Sequence, residues 1–250
     1  MKKPLFIAAM MLGLASYANA QTNIQEMYDF NRGHLTTTIE GFYADDWGST
    51  FFFTDIYHPT DFLYPVGYYT EIARALNFWK NTSLAPLSLH VEWNGGLGDG
   101  FGISNAWLFG VEYFLHSDDF RNTFTFELMY KNIRNMMVND ISYTPLQFTF
   151  VWGMNDLFDV KGLSFSGFLD IWGEKGIWND GTSAEETDWV ILSEPQIWYN
   201  IGQHFGCSNL NVGGEVELAY NFAGGWRTGA DFHKNKGLNV APCLGIKWVF

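Results

Sequence analysis

The sequence predicts an all-β fold: a transmembrane, antiparallel, up-and-down β-barrel of about twelve strands. Three observations lead there. The chain opens with an export signal, its composition is rich in aromatics and poor in charge, and its body breaks into segments whose side chains alternate polar and apolar.

Residues 1–20 read as a signal peptide. Lys2 and Lys3 supply the positive start, Leu5 to Tyr17 an apolar run, and Ala18-Asn19-Ala20 a small-x-small cleavage site. The run is short for a helix that must cross about 30 Å. Residues 21–250 then form a single barrel domain. Aromatics are 18% and charged residues 16% of the chain, against roughly 25% charged in soluble domains. No later stretch approaches the ~20 continuous apolar residues of a membrane helix. Such a chain fits a barrel that turns its apolar face to lipid. The net charge is −13, and −15 without the two leader lysines, which excludes phosphate-binding nucleic-acid partners. Cys207 and Cys243 have no metal-site spacing, and no disulfide framework follows from them.

In chain order, strands are expected near 23–30, 34–43, 49–57, 67–79, 85–94, 104–115, 122–132, 144–153, 163–173, 188–201, 210–222 and 238–250. The fifth is the cleanest: Leu89, Val91 and Trp93 alternate with Ser88, His90, Glu92 and Asn94. Period two means opposite faces of a strand. In the seventh, Phe124, Phe126, Leu128 and Tyr130 oppose Thr125, Glu127, Met129 and Lys131. Compact links follow the even-numbered strands: 45–48, 80–84, 117–121, 155–162 and 203–209. Longer links follow most odd-numbered ones, notably Gly-rich 94–103 and acidic 173–187. Alternation of short and long links matches barrels with short periplasmic turns and long external loops. The first hairpin, Asn31-Arg32-Gly33, is external but short. The last strand ends with Leu244, Ile246, Trp248 and Phe250 on one face. A terminal aromatic on such a stripe suits recognition by the barrel-assembly machinery through Phe250.

Charged groups are costly on the lipid face near the midplane, so the polar parity must face the lumen. It holds Asp55, Glu71, Glu92, Glu112, Glu127, Asp170, Glu194 and Glu215 as candidate solute-binding carboxylates, with Tyr69, Phe168 and Trp172 as aromatic platforms. Glu40, His90, Lys131, Glu217 and Lys247 share that parity, as do Phe51, Phe53, Tyr57 and Trp198. Arg74 is the exception: it falls on the face of Ile72 unless a bulge intervenes. Asp55, Glu71, Asp170 and Glu194 form an echo between the two halves of the chain, readable as one carboxylate ring or as struts filling a narrow lumen.

The strings Gly48-Ser49-Thr50-Phe51-Phe52-Phe53, Glu71-Ile72-Ala73-Arg74, Glu92-Trp93-Asn94-Gly95-Gly96, Ser193-Glu194-Pro195-Gln196 and Gly245-Ile246-Lys247-Trp248-Val249-Phe250 resemble an uncharacterised family of Bacteroidetes outer-membrane proteins. More distantly, the topology and Glu194-Pro195 resemble the nucleoside-specific channel family Tsx. That resemblance implies a narrow, twelve-stranded monomeric barrel in the outer membrane of a Gram-negative bacterium, passing nucleosides by diffusion. It assigns no individual residue a role.

The leading function is therefore a passive channel for small polar solutes, with outer-membrane lipid as its surroundings. A closed-lumen structural or binding barrel has the same sequence features. A lipid-modifying enzyme needs a nucleophile beside a base. Of six histidines, His34, His58, His116, His204 and His233 lie at loops or strand ends, where solvation is the simpler account. Only His90 is mid-strand, with Ser88 on its face, and no third group orients it. We assign no catalytic residue, no metal and no cofactor.

Overall fold

Two rows of side chains leave every β-strand, and backbone pairing decides which row closes on itself. The computed structural model describes residues 19–58, 64–98, 101–134, 144–179, 184–222 and 237–250. The strands are β1 (Asn19–Asp29), β2 (His34–Asp45), β3 (Gly48–His58), β4 (Gly67–Leu76), β5 (Leu87–Gly98), β6 (Phe101–His116), β7 (Asn122–Arg134), β8 (Leu146–Asn155), β9 (Leu163–Asn179), β10 (Ala184–Ser193), β11 (Gln196–Tyr199), β12 (Leu210–Tyr220) and β13 (Leu238–Val249). Consecutive strands pair antiparallel, except β10 with β11, and β1 pairs with β13 from Asn23 opposite Val249 to Asp29 opposite Cys243. The sheet is thus a closed barrel, which leaves no open edge.

The tenth strand is one strand in two pieces. β10 and β11 both lie between β9 and β12, so the barrel has twelve staves, as expected. The break falls at Glu194-Pro195, because proline brings no N–H to the ladder. Opposite it, Gly167 has φ 154°. A Cβ there would press on the Glu194 carbonyl, Pro195 and the Trp152 ring. That backbone region is glycine's, and it lets β9 pass the interruption.

Several boundaries differ from expectation. The predicted Gly-rich loop 94–103 is mostly hairpin: β5 runs to Gly98 and β6 starts at Phe101, with a bulge between Asn94 and Gly96. The predicted acidic loop 173–187 is likewise taken up by β9 and β10, which pair as far as Asn179 and Ala184. In both hairpins the backbone N–H and C=O groups of the two arms pair with each other regardless of side chain, so polar composition did not mark the end of the strand. β4, by contrast, stops at Leu76, and the link 77–86 is longer than predicted. Link length therefore does not alternate strictly. The link ends still segregate: Lys80 Nζ donates to the Asp46 carbonyl at 2.6 Å, joining two even-strand links at one rim.

The outer face is largely apolar, with a polar cluster of Glu26, Thr37 and His58 on it. Ile72, Trp107, Leu128, Leu146, Leu244, Ile246 and Phe250 are all exposed there. Arg74 does lie on this face. The β3–β4 register is unbroken, so no bulge turns it inward; it sits at the rim, bonded to Thr50 at 2.9 Å and Asp45 at 2.8 Å. The inner face is partly filled. Leu108, Met129 and Trp172 pack with Ala106, Ile133 and Val190 on one wall, and Met27, Trp198 and Cys243 on another.

Candidate luminal site

Period two gives the lumen its chemistry one strand at a time. Successive inward residues on a strand are two apart, and many polar ones bond each other along it: Gln25 to Asn23 at 2.9 Å, Tyr69 to Glu71 at 2.5 Å, Gln147 to Thr149 at 3.0 Å and Trp198 to Gln196 at 2.9 Å. The registers place every candidate residue on the inner face. Asp55 opposes Tyr69, Glu112 opposes Glu127, Asp170 opposes Thr149, and Glu215 opposes Gln196.

These residues fall into two groups rather than one ring. The first lies on β4 to β9. His90 bonds Glu112 through Nδ1 at 3.0 Å and Glu92 through Nε2 at 3.2 Å. Glu71 interacts electrostatically with Glu92 and Asp170. Lys131 donates to Gln147 at 2.7 Å and lies 3.9 Å from the centre of the Trp172 ring, whose Nε1 donates to Glu174 at 2.7 Å. Thr149 donates to Asp170 at 2.5 Å.

The second group spans β1 to β3 and β10 to β13. Arg32 donates through Nη2 to both Glu217 oxygens, at 2.5 and 2.6 Å, and through Nη1 to Asp29 at 2.9 Å. Thr38 donates to Asp55 at 2.6 Å, and Asn23 to Glu40 at 2.8 Å. Glu194 interacts electrostatically with Glu215, Glu217 and Asp55. Lys247 lies 4.2 Å from the centre of the Trp198 ring. The predicted quartet therefore divides: Asp55 and Glu194 face Arg32, while Glu71 and Asp170 face Lys131. Phe168 is half-buried on the inner face, and its carbonyl accepts from Ser193 Oγ at 2.7 Å.

Residues 20–250 match the family model described as a domain of unknown function, DUF5020. The chain belongs to that family. Among solved structures, 22 chains match this DUF5020 protein significantly. One is the NanC porin in a rhombohedral crystal form, with a TM-score of 0.52 and 8% identity over 91% of this chain and 98% of that one. At that identity the likeness is one of fold. No curated protein gives a significant match.

Sequence reasoning about the DUF5020 barrel missed Arg32, the inward cation with the most carboxylate bonds among the described residues. Parity counts only strand residues, and Arg32 sits in the first hairpin. A signal was there: Asp29 accepts from the N–H groups of Asn31 at 2.7 Å and Arg32 at 2.8 Å, the turn chemistry an aspartate favours. The histidine reading also needs correction. His34 and His58 stand at strand ends yet are buried. His34 faces inward opposite Asp29, and His58 faces outward, where it bonds Thr37 at 3.1 Å. A strand end is thus not always a wet position. Both nitrogens of His90 go to carboxylates, so Ser88 is not its partner.

Proposed function

We propose that this DUF5020 barrel is a passive outer-membrane channel for small polar solutes. The observation that carries the reading is the contrast between its two faces. An apolar outer wall with exposed Ile72, Leu128 and Leu244 suits lipid, while carboxylates and amides line the inside. The porin-like fold supports the Gram-negative outer membrane as its location, with residues 1–20 removed on export. The resemblance to nucleoside channels refines the solute. A nucleoside offers N–H and O–H donors to Glu71, Asp170 or Glu215, and a flat ring to Tyr69, Phe168 or Trp172.

Liposome swelling and planar-bilayer recording test this. Nucleosides should permeate faster than sugars of similar mass, and cations should outrun anions. Replacing Glu71 and Glu194 together by Gln should lower the cation preference and change neutral flux less, because each residue belongs to one of the two carboxylate groups. A wild-type barrel that conducts nothing under any condition sinks the channel reading. A closed-lumen barrel is the second reading, favoured by the near-complete burial of Leu108, Met129 and Trp198 inside the wall.

A further inference from the structure

One luminal constellation has a chemistry beyond that of solute passage. On β5, His90 and Glu92 are two residues apart and point inward together; on β7, Glu127 points at them. One ligand atom from each lies within 4.8 Å of the others, and all three side chains are more than nine-tenths buried. The geometry points to a divalent transition-metal site of the zinc class, with His90, Glu92 and Glu127 as ligands and Glu112 holding the imidazole.

Four observations carry this. First, Glu127 accepts no hydrogen bond from any described residue; its Oε1 lies 3.9 Å from His90 Nδ1, so reaching an ion on Nε2 takes a turn of its side chain within the 4.8 Å that spans the three ligand atoms. A carboxylate only 9% exposed and without a protein donor keeps little solvation, and a cation beside it would be favoured. Second, Nδ1 of His90 lies 3.0 Å from Glu112 Oε2. A proton on Nδ1 then leaves the Nε2 lone pair for a metal, the carboxylate–histidine arrangement common behind metal-bound imidazoles. Third, Nε2 and Glu92 Oε2 are 3.2 Å apart. Two ligands about 2.1 Å from one ion and 3.2 Å apart subtend about 100°, near the tetrahedral value. Fourth, Gly110 on β6 stands between His90 and Met129 in register. A Cβ there would press on the Leu128 carbonyl, so glycine lets β6 lie close against β7 and puts no side chain of its own between His90 and the β7 row that holds Glu127.

Charge agrees with geometry. Three carboxylates surround one imidazole, while Lys131 is committed to Gln147 and the Trp172 ring. A nitrogen ligand among the oxygens favours zinc-like ions over calcium or magnesium. Sequence spacing could not show this, because the third ligand comes from a strand two places away.

The test uses the full mature barrel without a histidine tag, folded in detergent, with Zn2+ added before or after refolding. Equilibrium dialysis should find one tightly held equivalent by either route, or by refolding alone given the burial. Co2+ in its place should give the visible bands of a low-coordinate nitrogen–oxygen site. His90→Ala and Glu127→Gln should each weaken binding at least tenfold, and Glu112→Gln about 10- to 100-fold. Heat-modifiable gel mobility reports that each variant folds; Glu127→Gln keeps size and shape if His90→Ala does not fold. Absence of saturable binding by both routes overturns the site. So does binding unchanged in both ligand variants, or displacement of Zn2+ by equimolar Ca2+ or Mg2+. In the last two cases the ion sits elsewhere or these groups act as an imidazolium strut. None of these outcomes depends on whether the barrel conducts.

Discussion

Arg32→Met is the sharpest test of how the interior is held. The guanidinium bonds both oxygens of Glu217, at 2.5 and 2.6 Å, and one of Asp29, at 2.9 Å. The side chains of Arg32, Glu217 and Asp29 are 11%, 12% and 3% exposed, so water and salt screen the set weakly. Methionine keeps much of the stem and removes the charge. It leaves Glu217 and Asp29 facing each other near Asp55 and Glu194 without their cation. Removing one partner of a buried pair costs about 3–5 kcal/mol, chiefly through the charge left behind. The assay is equilibrium urea unfolding of the barrel in phospholipid vesicles, followed by tryptophan fluorescence. Adding Glu217→Gln to Arg32→Met should restore more than about 1 kcal/mol, since residues in direct contact couple at 0.5–3 kcal/mol. A single variant within about 0.5 kcal/mol of wild type, the size of a surface substitution, would refute the reasoning.

Gly167→Ala should destabilise by about 1–3 kcal/mol in the same assay, because φ is 154° and the added Cβ would crowd the Trp152 ring and Pro195. Gly206→Ala, with positive φ but open space around it, should cost less; equal costs would remove the crowding argument. Deleting Phe250 should leave unfolded chain in the periplasm when overexpressed, with normal insertion as the contrary result. In the link 117–121, the Ser117 hydroxyl and then the Arg121 guanidinium hold the Asp119 carboxyl well below the usual carboxylate range. A depressed folded pKa gives stability that is present above the unfolded value and lost as pH falls through the folded one. The Asp119 carboxyl carbon shift should therefore titrate below 3.8, the ordinary value; a midpoint at or above 3.8 contradicts the contact.

Parity made the barrel legible. Phe124 to Lys131 alternates as one wall must, and the register places Glu127 and Lys131 inside and Phe126 and Leu128 outside. Strand ends were harder to see, because Gly95 and Gly96 keep pairing where their composition suggests a loop. The grouping of the carboxylates was not legible at all. Parity says which way Asp55 and Glu71 point, but grouping also needs the stagger between strands and the reach of Arg32 from a turn. Pro195 was visible as a residue. Its consequence, a strand in two pieces held by the same neighbours, depends on Gly167 across the sheet.

The bonds that run along single strands bear on the order in which such a wall can be built. Gln25 with Asn23, Tyr69 with Glu71, His90 with Glu92 and Gln147 with Thr149 each sit on one strand. A β-hairpin carrying these pairs brings much of its inward polar chemistry already matched before any distant strand arrives. Stepwise growth by hairpins then leaves few inward donors stranded at each stage. The contacts that bridge far-apart stretches, above all Arg32 with Glu217, cannot form until β1 and β13 meet. They act as a latch on the finished cylinder, and their loss should slow closure more than it slows the growth of any earlier hairpin.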